Sequence, residues 1–110
     1  MKRVFILSKH SMFGVGIEAL LSQEEQIEIV SRDTDLSASL EGIRKSDPDV
    51  VIINCDDPDP ELTAAVMDIF RDRLGICVIG LSLRNNQISI YRGEKKDVRQ
   101  VEDLLKAIED

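Results

Sequence analysis

The chain predicts an α/β fold, a largely parallel sheet covered by helices on both faces, and three observations carry that prediction. Two short apolar runs, Val4–Leu7 and Val50–Ile53, lack the alternation of a half-wet strand, so each is expected to be buried on both faces, as in a parallel sheet. Apolar residues at helical spacing fall between successive strand-like runs, giving the strand–helix alternation from which such sheets are built. That alternation then breaks. Only Arg84–Gln87 separate Leu81-Ser82-Leu83 from Ile88-Ser89-Ile90-Tyr91, too few residues for a parallel crossover.

The first run ends at Ser8-Lys9-His10-Ser11. Ser11 is the expected N-cap of a helix whose buried face is Phe13, Ile17, Leu20 and Leu21. Gly14 and Gly16 lower its helix propensity, and close packing is the expected reason for both. Gln26 to Val30 alternates, with Ile27 and Ile29 apolar, as an edge strand that Glu28 would blunt. Leu36, Leu40 and Ile43 mark a second helix, with Asp33, Thr34 and Asp35 as cap candidates and a stop at Ser46-Asp47-Pro48.

The stretch from Asp47 to Pro60 is the centre of the chain: a turn, the run Val50–Ile53, Asn54-Cys55, and a carboxylate-rich loop where a site is expected. Asp59-Pro60-Glu61 is a strong helix start, combining a capping carboxylate, proline at the first helical position and an acid in the first turn. Leu62, Val66, Ile69 and Phe70 give that helix its buried face. Arg71 and Arg73 fall in its last turn, with Gly75 at the terminating position. Ile76 to Leu81 is the fourth strand. Asn85-Asn86 tolerates positive φ, so Ile88 to Arg92 is expected as an antiparallel fifth strand in a tight hairpin. Asp97 then caps a last helix with Gln100 three residues on, and Val98, Val101, Leu104, Leu105 and Ile108 form its apolar stripe. The apolar stripes of all the helices are expected to be core.

The chain's 110 residues, 43% of them hydrophobic, fit one domain, 1–110, with one core. Its 14 basic and 21 acidic residues give a net charge of -7, which repels phosphate backbones, so nucleic acid is not an expected partner. The start, MKRVFILSKH, holds too few apolar residues for a signal peptide or a membrane span, and a cytoplasmic protein is expected. Cys55 and Cys77 sit in or beside apolar runs and are expected as reduced thiols.

KRVFILSKHSMFGVGIEALL followed by PDVVIINCDDP resembles the receiver domain of bacterial two-component response regulators, over roughly the first three-quarters of the chain. The resemblance implies a three-layer flavodoxin-like sheet of order 2-1-3-4-5, with its site beyond the carboxyl ends of the strands. Receivers bind magnesium through an acidic pair after the first strand and accept phosphate on an aspartate ending the third. Here the acidic pair falls on Ser8 and Lys9 and the acceptor on Asn54, and both changes remove the chemistry. An amide cannot form an acyl phosphate, and a lysine ammonium opposes a divalent cation. The resemblance places the switch hydroxyl on Ser82 and the reporting aromatic on Tyr91, while the expected basic residue three positions on is Glu94. Ser8, Lys9 and Asn54 are expected to satisfy one another by hydrogen bonds, with Lys9 the counter-ion of Asp56 or Asp57.

Other readings compete with this one. Asp56, Asp57, Asp59 and Glu61 suggest a metal cluster or a relocated phosphoacceptor, yet Asp59 and Glu61 are explained as a helix start and the other two as a solvated loop. A magnesium-dependent receiver using Asp56 or Asp57 stands as one alternative function. Gly14-Val15-Gly16-Ile17-Glu18-Ala19 matches a GxGxxA dinucleotide fingerprint, which makes a nucleotide-binding flavodoxin- or Rossmann-like protein the other. Six residues separate the strand from its first glycine, however, so the motif is expected inside the helix and away from the phosphate-binding turn. His10 has no second histidine to pair with as a metal ligand.

The sequence therefore predicts a non-catalytic pseudo-receiver signalling module that is not phosphorylated at the usual site. It has no catalytic, cofactor-binding or metal-binding residues and works through a protein partner, a homodimer being one such arrangement. Ser8, Lys9, Asn54, Asp57 and Ser82 form its vestigial phosphorylation pocket. The hairpin residues Asn85, Asn86, Ile88, Ile90, Tyr91 and Arg92 are its expected interaction surface, with ordinary packing of Leu83, Ile88, Ile90 and Tyr91 against the last helix as the alternative.

Overall fold

Residues 1–56, 59–73, 75–92 and 100–109 are described by the computed structural model. The elements run β1 (Lys2–Leu7), α1 (Ser11–Leu21), β2 (Ile27–Asp33), α2 (Ser39–Ser46), β3 (Val50–Asn54), α3 (Pro60–Asp72), β4 (Cys77–Ser82), β5 (Gln87–Arg92) and α4 (Val101–Glu109). They form one five-stranded sheet of order β2-β1-β3-β4-β5. β1 pairs in parallel with β2 and β3, β3 with β4, and only β5 is antiparallel. The predicted architecture and strand order are both present.

The unalternating runs are explained by what covers them. Phe5, Leu7, Val51, Ile53 and Val78 point to one face, where they meet Ile43 of α2 and Ala65 and Ile69 of α3. Val4, Ile6 and Ile52 point to the other and pack on Phe13 and Ile17 of α1. Each such side chain contributes roughly 1.5–3 kcal/mol when fully buried. Gly42 lets α2 sit closely on this sheet, since a Cβ there would already touch the Phe5 ring at 3.4 Å.

Several boundaries differ from the sequence reading. His10, and not Ser11, is the N-cap of α1; its backbone is extended, and no side chain caps the helix. Leu20 is 71% exposed, because the buried face of α1 turns through Phe13 and Ile17 and ends at half-buried Leu21. Close packing accounts for Gly14, whose added Cβ would lie 3.4 Å from the Arg32 side chain, but a Cβ at Gly16 would meet nothing within 4 Å. β2 runs on to Asp33, so the expected cap residues end a strand and open a turn instead. There Asp33 Oδ1 accepts from Asp35 N and Asp35 Oδ1 from Ser37 N, and Leu36 is buried before the helix begins.

α3 begins as predicted: Pro60 is its first residue and Asp59 Oδ1 accepts from Glu61 N at 3.0 Å. It closes on Arg73, with φ -139°, and not through a left-handed glycine at Gly75. The β4–β5 turn does use a left-handed asparagine, Asn86 at φ 51°. The largest departure is α4. Val101, Leu104, Leu105 and Ile108 are 51% to 71% exposed and the helix has no buried residue, so this stripe is not core. The expected cap Asp97 and stripe residue Val98 lie outside the described residues. Among the described residues, no helix is long and apolar enough to cross a membrane.

Candidate functional site

The carboxyl ends of β1, β3 and β4 lie side by side, which brings Ser8, Asn54 and Ser82 to one edge of the sheet. Parallel pairing forces this, since every strand from β1 to β4 points the same way and its following loop emerges at the same end. Asp57, expected in the same pocket, lies outside the described residues, as does Glu94.

The pocket's internal bonding is not the expected one. Ser8 is buried, and its Oγ accepts from His10 N at 3.1 Å, turning the chain into α1. Asn54 Oδ1 accepts from Asp56 N at 2.9 Å, an Asx turn that starts the loop after β3. Lys9 reaches neither: its Nζ lies 2.9 Å from Asp59 Oδ2 and 2.7 Å from Glu61 Oε2. Ser8, Lys9 and Asn54 thus do not satisfy one another, and Lys9 is the counter-ion of the α3 start, not of Asp56. The physical reason is position. A helix N-terminus gathers Asp59 and Glu61 for its own amides, and that concentrated negative charge is the best partner within reach of a lysine leaving β1. The Glu61 and Asp59 carboxylates hold the Lys9 ammonium above its ordinary pKa, and Lys9 in turn holds Asp59 below the usual carboxylate range.

Asp56 is the residue the sequence reading placed wrongly, as a solvated loop acid. Its Oδ1 accepts from Ser82 Oγ at 2.7 Å and from Arg84 N at 3.2 Å, while Oδ2 accepts from Leu83 N at 3.1 Å. Ser82, helped by the two amides, keeps this carboxyl below its ordinary pKa. Asp56 therefore buckles the loop after β3 to the turn after β4. A signal for this was present in the sequence, a carboxylate two residues past one strand end and a hydroxyl at the next, but it becomes readable only once β3 and β4 are known to be neighbours.

Asn54 and Ser8 together with Lys9, His10, Leu36, Asp59 and Leu62 line a space of about 40 Å³, close to the share of one water in the liquid, roughly 30 Å³. Among the described residues, Asn54 Oδ1 is occupied by a backbone amide, Asp56 by Ser82 and the turn, and the Lys9 ammonium by Asp59 and Glu61. Cys55 and Cys77 are both free thiols. Cys55 is an exposed residue beside Gly80, where an added Cβ would collide with its Sγ, and partial desolvation of the sulfur followed by the charge of Asp56 pushes the thiol pKa up.

The hairpin residues Asn85, Asn86, Ile88, Ile90, Tyr91 and Arg92 are all exposed. On the α3 side of the sheet an apolar cleft of about 450 Å³ opens between Tyr91 and Leu62, Val66, Met67 and Phe70.

No family model matches the chain. The transcriptional regulatory protein DegU of Brevibacillus brevis is 24% identical over 85 residues, covering 77% of this chain and 36% of its own, so the chain spans about a third of that relative. The isolated REC domain of RcsB from Salmonella enterica serovar Typhimurium, solved with the phosphomimetic BeF3-, matches with a TM-score of 0.64 and 25% identity over 77% of this chain and 64% of that one. The signal receiver domain of the putative response regulator NarL from Mycobacterium tuberculosis gives a TM-score of 0.63 and 25% identity over 74% and 65%. In sheet order and in these likenesses the chain is similar to the receiver domains of two-component response regulators.

Proposed function

We propose that this domain is a pseudo-receiver, a non-catalytic cytoplasmic module that signals through protein–protein contact and takes no phosphoryl group at the usual position. The observation that carries this reading is Asn54, an amide at the carboxyl end of β3 with its oxygen already spent on Asp56 N. An amide offers no carboxylate nucleophile, so the acyl phosphate of a receiver has nowhere to form. Lys9, paired with Asp59 and Glu61, supports the same conclusion by filling with a fixed cation the place where a receiver recruits magnesium.

The alternative acceptor, Asp56, is disfavoured because both its oxygens are engaged; phosphorylating it requires breaking the contacts to Ser82, Leu83 and Arg84. The name of the DegU relative refers to transcription, but that protein is far longer than the matching segment. With a net charge of -7, the domain itself is read as making no DNA contact. Its exposed hairpin and vestigial pocket are the proposed contact surfaces.

An amide NMR spectrum titrated with magnesium and then with beryllofluoride tests the proposal. The expected spectrum is unchanged at Lys9, Asn54, Asp56 and Ser82. Saturable shifts confined to those residues overturn it and bring the phosphoacceptor reading forward.

A further inference from the structure

The β4–β5 part of the sheet carries an uncovered apolar face. Ile90 stands opposite Ile79 and Ile88 opposite Leu81, and directly opposed residues share one side of a sheet. Ile79 and Leu81 belong to the cluster on the α1 side, so all four line that side. α1 covers its β1 end but not this one: Ile88 and Ile90 are 66% and 59% exposed.

Helix α4 carries the complement. Val101, Leu104, Leu105 and Ile108 lie along one side of it, and none is buried. In its own chain this helix does not make the contact. The molecule measures 48 × 28 × 26 Å with a radius of gyration of 15.4 Å, against about 13 Å for a compact chain of this length.

We propose that the occupant of this face is α4 of a second copy, each chain lending its helix to the other across a two-fold axis. Such an exchange covers both exposed surfaces of both chains and closes on itself, leaving no free end to recruit a third. At roughly 100 Å² for each of the six exposed side chains, each copy offers on the order of 600 Å² of apolar surface; a standard interface buries about 800 Å² per partner. The proposal rests on the reading of the domain as an interaction module, whose partner it names, and not on the state of the pocket. The beryllofluoride titration therefore reports on that reading separately.

The test uses the full chain with Cys55→Ser and Cys77→Ala, checked for native circular dichroism. Ile90→Cys is placed on one copy and Leu104→Cys on another. On mixing and oxidation a mixed disulfide dimer is expected, and sedimentation velocity of the unmutated chain should give twice the chain mass. Leu104→Glu, at an exposed position that leaves the monomer folded, should weaken the dimer about tenfold or more. A monomer throughout about 1–100 µM, a dimer that never forms the mixed disulfide, or a chain bearing both cysteines that closes the bond on itself would each overturn the proposal.

Discussion

α3 and α4 are both amphipathic, with apolar residues at the same helical spacing, yet Ile69 of α3 is fully buried while Leu104 and Leu105 of α4 are each 51% exposed. The difference lies outside the helices. α3 follows a parallel strand and is carried back over the sheet by a crossover, whereas α4 follows a hairpin strand that makes no crossover. Amphipathicity states what a helix is able to bury; connection decides whether it does so. The chain therefore divides into a packed body, from β1 to β4, and an outer part, β5 and α4, in which no residue is buried.

The strongest way to break this division is to truncate one side chain on each side of it. Ile69→Ala should cost about 2–5 kcal/mol in urea unfolding, whereas Leu105→Ala, measured at a concentration where the chain is monomeric, should stay within about 0.5 kcal/mol. Equal costs would mean that α4 is packed after all. Next is Gly80→Ala, at the seam between the two parts, where the new methyl displaces the Cys55 thiol. A cost of about 1 kcal/mol is expected for an off-rotamer cysteine, and it should vanish in a Cys55→Ala background; persistence there would place the strain elsewhere.

Smaller effects sharpen where the seam is tied. Ser82→Ala removes the main cause of the low Asp56 pKa, so NMR titration should find that carboxyl shifted up toward the ordinary value. The sign follows from linkage. A carboxylate depressed in the folded state adds stability above its unfolded pKa of about 3.9, and that contribution is lost as pH falls through the lower folded value. The wild-type hairpin should thus loosen only in strong acid, and the Ser82→Ala hairpin at higher pH. Lys9→Ala should likewise raise the Asp59 pKa while leaving the Asp56 titration where it was; a matching shift at Asp56 would show the two carboxylates to be coupled.

The fold was legible because its determinants are local and redundant. Val50–Ile53 without alternation, Asp59-Pro60-Glu61 at a helix start and Asn85-Asn86 at a turn each state their own geometry. The position of Ser8, Asn54 and Ser82 at one edge followed from strand order alone. What escaped the sequence was pairing across space. Lys9, expected beside Asp56 or Asp57, pairs instead with the two carboxylates that open α3, and Asp56 finds Ser82 on the neighbouring strand. Helix stripes were read as core because pattern records hydrophobicity but not whether a sheet face lies within reach, and α4 shows the difference.

The hairpin also sets the order in which the sheet is able to assemble. β1 acquires its neighbour β3 only when nearly half the chain is in place; Arg3 N, for example, bonds to a carboxylate 46 positions away. β4 and β5 meet across a few residues, with Ser82 opposite Gln87. Closing so short a loop takes microseconds or less, whereas distant strands must first lose the entropy of a long intervening chain. The outer ribbon is thus expected to form early and to open often, and the parallel centre to form late and hold longest, so that amide exchange would read the same boundary as a difference in time.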